Sequence, residues 1–157
     1  ELTRRCLKEL AVKEFPVNIQ TKSKLALRDL DVFQEFEEIE VGFTITTENE
    51  RVAKQFEPRA STVKKRLEAL EKIHASGTKT FAFVGPLLPG NPEKLVRELE
   101  GRVDNVYIDR MNYLSSIKAF YEQLGFERET TDRFFREYKK RLVSELKKRK
   151  MKYEVLF

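Results

Sequence analysis

The chain has 157 residues, of which 40% are hydrophobic and 36% charged, with a formal net charge of +5. That size suits about one domain, able to bury most of the surface its unfolded form exposes beneath a heavily charged exterior. No apolar run is long enough to span a bilayer and no signal peptide is visible. The single Cys6 excludes an internal disulfide and any multi-cysteine metal site within these residues. A cytoplasmic protein without membrane contact is expected. The chain opens on Glu1 and has no methionine before Met111, so it reads as a piece of a longer protein.

Leu2, Cys6, Leu7 and Leu10 share helical spacing over 2–13, which makes Cys6 a small buried hydrophobe. Phe15-Pro16 stops this helix, and 17–22 alternates as a strand. Ser23 is the N-cap of a helix through Leu27, Leu30, Phe33 and Phe36. Residues 39–46 form a second strand. Thr47 and Glu50 have capping-box spacing and start a short helix that ends before Pro58. Ser61 caps a helix with Val63, Leu67, Leu70 and Ile73 inward, closed by Gly77. Phe81-Ala82-Phe83-Val84 is a third strand, broken by Pro86. Asn91 and Pro92 open the next helix. Strand 103–109, a helix near 113–124, a long helix over about 130–150 and a strand at 153–157 complete the chain. Strands and helices alternate four times. That predicts an α/β fold of parallel βα units forming part of a TIM-type barrel, with residues 1–157 as a single domain.

Three strands have an unusual polar side. Alternation places Asn18, Gln20 and Lys22 on one face of the first, Gly42, Thr44 and Thr46 on one face of the second, and Asn105, Tyr107 and Asp109 on one face of the fourth. Parallel strands are normally apolar on both faces, and an unpaired buried polar group costs about 1–3 kcal/mol. A polar face therefore implies an open cavity. Ligands of such folds bind beyond the carboxyl ends of the strands, where Lys22, Thr44 to Thr47, Gly85 and Asp109 gather. Lys22 suits a carboxylate or phosphate, the threonines supply hydroxyls, and Gly85 allows close backbone approach. The competing reading makes Lys22 and the threonines solvated loop and cap residues.

Five segments in order resemble the later barrel strands of radical S-adenosylmethionine enzymes, in the spore photoproduct lyase-like branch often labelled DNA repair photolyases. They are Ile19-Gln20-Thr21-Lys22-Ser23, Val41-Gly42-Phe43-Thr44-Ile45-Thr46, Phe56-Glu57-Pro58-Arg59-Ala60, Lys65-Arg66-Leu67-Glu68-Ala69-Leu70 and Val84-Gly85-Pro86. The resemblance implies that Lys22, Thr44, Thr46 and Gly85 contact S-adenosylmethionine and that Tyr107 and Asp109 face the substrate. It marks the Glu57-Pro58 and Arg66-Leu67-Glu68-Ala69 segments as branch signatures; read locally, Pro58 is a helix stop and Arg66 a solvated helix residue. The family's three-cysteine loop, which ligates a four-iron, four-sulfur cluster, has no counterpart here. The resemblance thus implies a lyase-like parent enzyme whose upstream segment carries the iron–sulfur ligands. These residues alone are not expected to be active. The first strand is then a bare sheet edge, open to that segment or to a second copy as a dimer.

Charge supplies the rival function. Residues 128–152 hold eleven Lys/Arg against four Asp/Glu, more than the whole net excess. The basic helix is either a solvated face or a phosphate-contacting one. In the second case the chain acts on nucleic acid, or is a non-enzymatic α/β module that binds nucleic acid or an acidic partner. His74 stands alone near a helix C-terminus without metal-site company, and no P-loop, G-x-G-x-x-G, H-E-x-x-H or G-x-S-x-G occurs.

Overall fold

The computed structural model describes residues 1–157. Five strands lie side by side in chain order: β1 (Val17–Thr21), β2 (Ile39–Thr44), β3 (Lys79–Val84), β4 (Asn105–Ile108) and β5 (Tyr153–Val155). Every neighbouring pair is parallel. Each parallel step needs a crossover, and crossovers of one hand that always move to the next strand put their helices on one face of the sheet. The other face becomes the inner wall of a partial barrel, as the alternation predicts.

Helix α1 (Leu2–Val12) precedes β1. A 3-10 segment, Lys24–Asp29, runs into the short α2 (Leu30–Phe33) before β2. Helices α3 (Glu50–Phe56) and α4 (Val63–Ala75) lead to β3, and α5 (Pro92–Leu99) leads to β4. Helix α6 (Leu114–Gln123), a 3-10 turn at Glu127–Thr130 and α7 (Asp132–Lys148) lead to β5. No helix is long and apolar enough to cross a membrane.

The helix-facing rows of the sheet, including Val41, Phe43, Ala82, Val84, Val106 and Ile108, are fully buried. They join Leu70, Leu95 and Leu142 in one apolar core. On the opposite face Asn18 and Gln20 are exposed and Tyr107 is half-buried. Burial of the first face drives assembly; the second is exposed at its β1 edge and buried at its centre, where Phe81 is 2% exposed.

Several local expectations are corrected. Asn49, not Thr47, caps α3: its Oδ1 accepts from the Arg51 and Val52 amides at 3.0 and 3.3 Å. Glu50 turns instead to the start of α4 and accepts from the Val63 and Lys64 amides at 3.0 and 2.7 Å, where its charge meets the positive end of the dipole. Thr62 caps α4, and Ser61 accepts from the Lys24 amide at 3.0 Å. Ser23 does cap, but what it opens is the 3-10 segment. Cys6 is exposed, because α1 turns only the Leu7 and Ala11 stripe inward and leaves Leu2 and Cys6 without a wall to pack on. Asn91 with Pro92 opens α5, and Gly77 at φ +86° closes α4, both as read from the sequence.

Candidate functional site at the carboxyl ends of the strands

The inner wall is built from alternate residues held in register. Asn18 donates to Glu40 at 2.9 Å across β1 and β2, and Gln20 donates to the Thr44 hydroxyl at 3.0 Å. The Thr44 hydroxyl hydrogen remains free to donate in turn. The middle of the wall is aromatic. Phe81 lies over Gly42, so close that a Cβ on Gly42 would stand 2.3 Å from its ring. Tyr107 meets Phe81 edge to face at 5.2 Å between centroids. The expected wall of β1, β2 and β4 polar groups therefore surrounds an aromatic patch from β3, where Phe81 and Phe83 occupy the inward positions.

Above this wall, charged groups converge just past β1 and β2. The Lys22 ammonium stands 3.2 Å from Glu57 Oε1 and keeps 44% of its side chain exposed. The other Glu57 oxygen takes a 2.7 Å bond from Arg66 Nη1, and the same nitrogen donates to the Thr44 carbonyl at 2.8 Å. Arg66 is not a solvated helix residue: its side chain is 1% exposed, against 8% for Glu57. Periodicity held the signal. Arg66 falls three residues after Val63 and four before Leu70, inside the buried stripe of α4. A buried guanidinium requires a paired carboxylate, and Glu57 is the one within reach.

Thr46 is fully buried, and its hydroxyl has no hydrogen-bond partner. At Gly85 a Cβ would meet the Phe83 ring at 2.6 Å and the Asp109 Cβ at 3.0 Å, so only glycine fits beside them. The Asp109 amide donates to the Val84 carbonyl at 3.1 Å, and its carboxylate accepts from Asn112 at 3.1 Å. Lys22 and Thr44 share the Glu57–Arg66 network, and Gly85 and Asp109 touch one another. Tyr107 sits deeper on the wall.

Two signals lie elsewhere. His74 Nδ1 is 2.9 Å from the Thr80 hydroxyl and 3.5 Å from Asp104, at the amino end of β3 and away from the rim. Helix α7 starts at the rim, where Arg110 pairs with Asp132 at 2.9 Å and lies over Phe135. It ends at the opposite side of the sheet, where the Lys152 carbonyl accepts from the Val106 amide. Part of its charge is already neutralised: Arg141 pairs with Glu93 at 2.6 Å, and Arg149 with Glu145 at 2.8 Å.

No family model matches the chain. It is 31% identical over 156 residues to an uncharacterized protein of Methanocaldococcus jannaschii, covering 95% of this chain and 60% of that protein. It is 30% identical over 139 residues to an uncharacterized protein of Acidianus two-tailed virus, covering 82% and 46%. The chain thus spans about half the length of the curated relatives it matches. Among solved structures it matches a spore photoproduct lyase variant with bound AdoMet and dinucleoside spore photoproduct, at TM-score 0.68 and 16% identity over 99% of this chain and 55% of that one. The chain has the fold of spore photoproduct lyase. A second variant of that enzyme, with dinucleoside spore photoproduct, gives TM-score 0.69 over the same shares. The resemblance read from five sequence segments is matched in spore photoproduct lyase by the architecture of the entire chain.

Proposed function

We propose that this chain is the S-adenosylmethionine-binding part of a radical S-adenosylmethionine enzyme of the spore photoproduct lyase-like branch. The observation that carries this reading is what converges past β1, β2 and β3 on the open side of an in-order parallel sheet. An exposed ammonium follows β1, a buried unpartnered hydroxyl follows β2 and a glycine without room for a Cβ follows β3. Lys22 would hold the amino-acid carboxylate, Thr44 and Thr46 would supply hydroxyls, and the Gly85 backbone would lie against the nucleoside. Tyr107 and Asp109 would face the substrate. The donor set fits a ligand with one anionic end and a hydroxyl-rich sugar.

The iron–sulfur cluster does not fit these residues. The chain has one cysteine, exposed on α1, and no group of three candidate metal ligands, so no step is derived through a cluster. In this reading the cluster ligands belong to another segment of the same protein, which pairs along the open edge of β1. The greater length of the curated relatives supports that. A second copy at the same edge would make a dimer. S-adenosylmethionine, when bound and reduced, supplies a carbon-centred radical; the residues described here bind it, orient it and limit water. Action on nucleic acid is part of the proposal, supported by the dinucleoside photoproduct held by the fold's neighbour. The basic face of α7 supports the second reading, a non-enzymatic binding module, since Arg136, Lys140 and Lys147 on the helix and Lys150 just beyond it are exposed.

Equilibrium dialysis with S-adenosylmethionine tests the first reading. Lys22→Ala is expected to weaken binding by about tenfold or more, the loss of one charge-assisted bond. Undiminished affinity would remove Lys22 from the site.

A further inference from the structure

We infer that Arg66 and Glu57 are positioning residues that set the sign of the rim and so select a carboxylate-bearing ligand; this deepens, and rests on, the S-adenosylmethionine reading above. Lys22 by itself is a compromised anion receptor, because Glu57 Oε1 stands 3.2 Å from its ammonium. A neutral Lys–Glu pair offers an incoming carboxylate as much repulsion as attraction. Arg66 changes that balance. Its guanidinium, 1% exposed, takes the other Glu57 oxygen at 2.7 Å, so the three groups together carry one positive charge.

The geometry gives Lys22 freedom to exchange partners. Its contact with Glu57 Oε1 is an ion pair without hydrogen-bond alignment. When Lys22 turns to a ligand, Glu57 remains satisfied by Arg66 and no buried carboxylate is stranded. The same Arg66 Nη1 fixes the Thr44 carbonyl at 2.8 Å, which ties the charge balance to the end of the strand that presents Thr44. Arg66 Nε is buried and has no partner, a further donor left over at the network. Neither residue needs to touch the ligand to act in this way.

Opposite signs at the two positions form the test. Affinities for S-adenosylmethionine and for methylthioadenosine, which keeps the nucleoside but lacks the whole amino-acid arm and the sulfonium charge, are measured by equilibrium dialysis, with thermal unfolding alongside. Arg66→Met should weaken S-adenosylmethionine binding about tenfold and leave methylthioadenosine nearly unchanged. Glu57→Gln should leave S-adenosylmethionine binding equal or tighter, and the double variant should return it toward the unaltered value. If Arg66→Met does not fold, the direction of Glu57→Gln alone decides. Loss in Glu57→Gln, or equal loss for both nucleosides in either variant, would show a network that only maintains shape and would overturn the inference. Failure of the unaltered protein to bind either nucleoside is a separate result: it would overturn the S-adenosylmethionine reading, and the inference with it.

Discussion

Gly42 and Arg66 show how single positions shape this wall. Gly42 sits beneath Phe81, with 2.3 Å between the ring and the place a Cβ would take. Gly42→Ala must displace a ring that is itself 2% exposed, at a cost of about 1–3 kcal/mol. Denaturant unfolding checks this, and an unchanged midpoint would mean that the ring moves freely. The places of Lys22, Thr44 and Gly85 at the strand ends were legible because alternation assigns a residue to a face without knowledge of its neighbours. Glu57 and Arg66 were not legible as a pair. They lie nine residues apart across a helix junction, and only the tertiary fold shows that the carboxylate backs onto the guanidinium. A charge inside an apolar helical stripe was the available sign, and it was read as solvated. Tyr121 is similar: burial in the small cluster with Val52 and Leu88 pushes its hydroxyl well above the ordinary phenol range, and nothing local in its sequence announces it.

At the scale of elements, caps decide where helices begin, and they explain where the sequence reading slipped. Thr47 and Glu50 have the right spacing for a reciprocal cap, yet Asn49 stands one step closer to α3 and takes its amides. Such competition between adjacent polar residues is invisible to spacing alone. Helix α1 is bound by charge as well as by burial. Arg4 donates to both carboxylate oxygens of Asp31 and to Asp29 at 3.1 Å. The Arg4 hydrogen bond holds the Asp31 carboxyl down at about 2, and Arg28, followed by Arg4, lowers Asp29. A depressed carboxylate contributes stability above its unfolded value, and that contribution fades as pH falls through the folded one. Docking of α1 should therefore weaken between the ordinary Asp value of 3.8 and about 2. The protection of α1 amides, their exchange relative to the intrinsic rate at each pH, should fall across that range in the unaltered protein and show a flatter response in Arg4→Gln. A pH-independent α1 in the unaltered protein would contradict the assignment.

For the whole molecule, the in-order parallel sheet was legible because helix and strand periods alternate cleanly and parallel crossovers have one hand. The aromatic centre of the inner wall was not, since Phe81 and Phe83 read as ordinary apolar strand residues until register set them opposite Gly42 and Thr44. Charge placement also needs the fold. Helix α7 spans 17 residues, about 25 Å, from the rim to the far end of the sheet. The unpaired Lys147 in its last turn and Lys150 just past its end are thus remote from Lys22. Nucleic acid reaching the candidate site approaches the rim, so Lys147→Glu with Lys150→Glu should leave DNA affinity within about twofold. A large loss, with the log–log salt slope reduced by about two contacts, would move the interface to α7 and favour the non-enzymatic reading.

The proposed seat of S-adenosylmethionine is the carboxyl-end rim of this sheet. An experimental structure of the protein with that molecule bound tests it most directly. The cofactor carboxylate is expected within hydrogen-bonding reach of Lys22 Nζ, the nucleoside along the inner wall beside Gly85, and Glu57 turned to Arg66. A cofactor seated among the outer helices, or at the far end of the strands near His74, would contradict it.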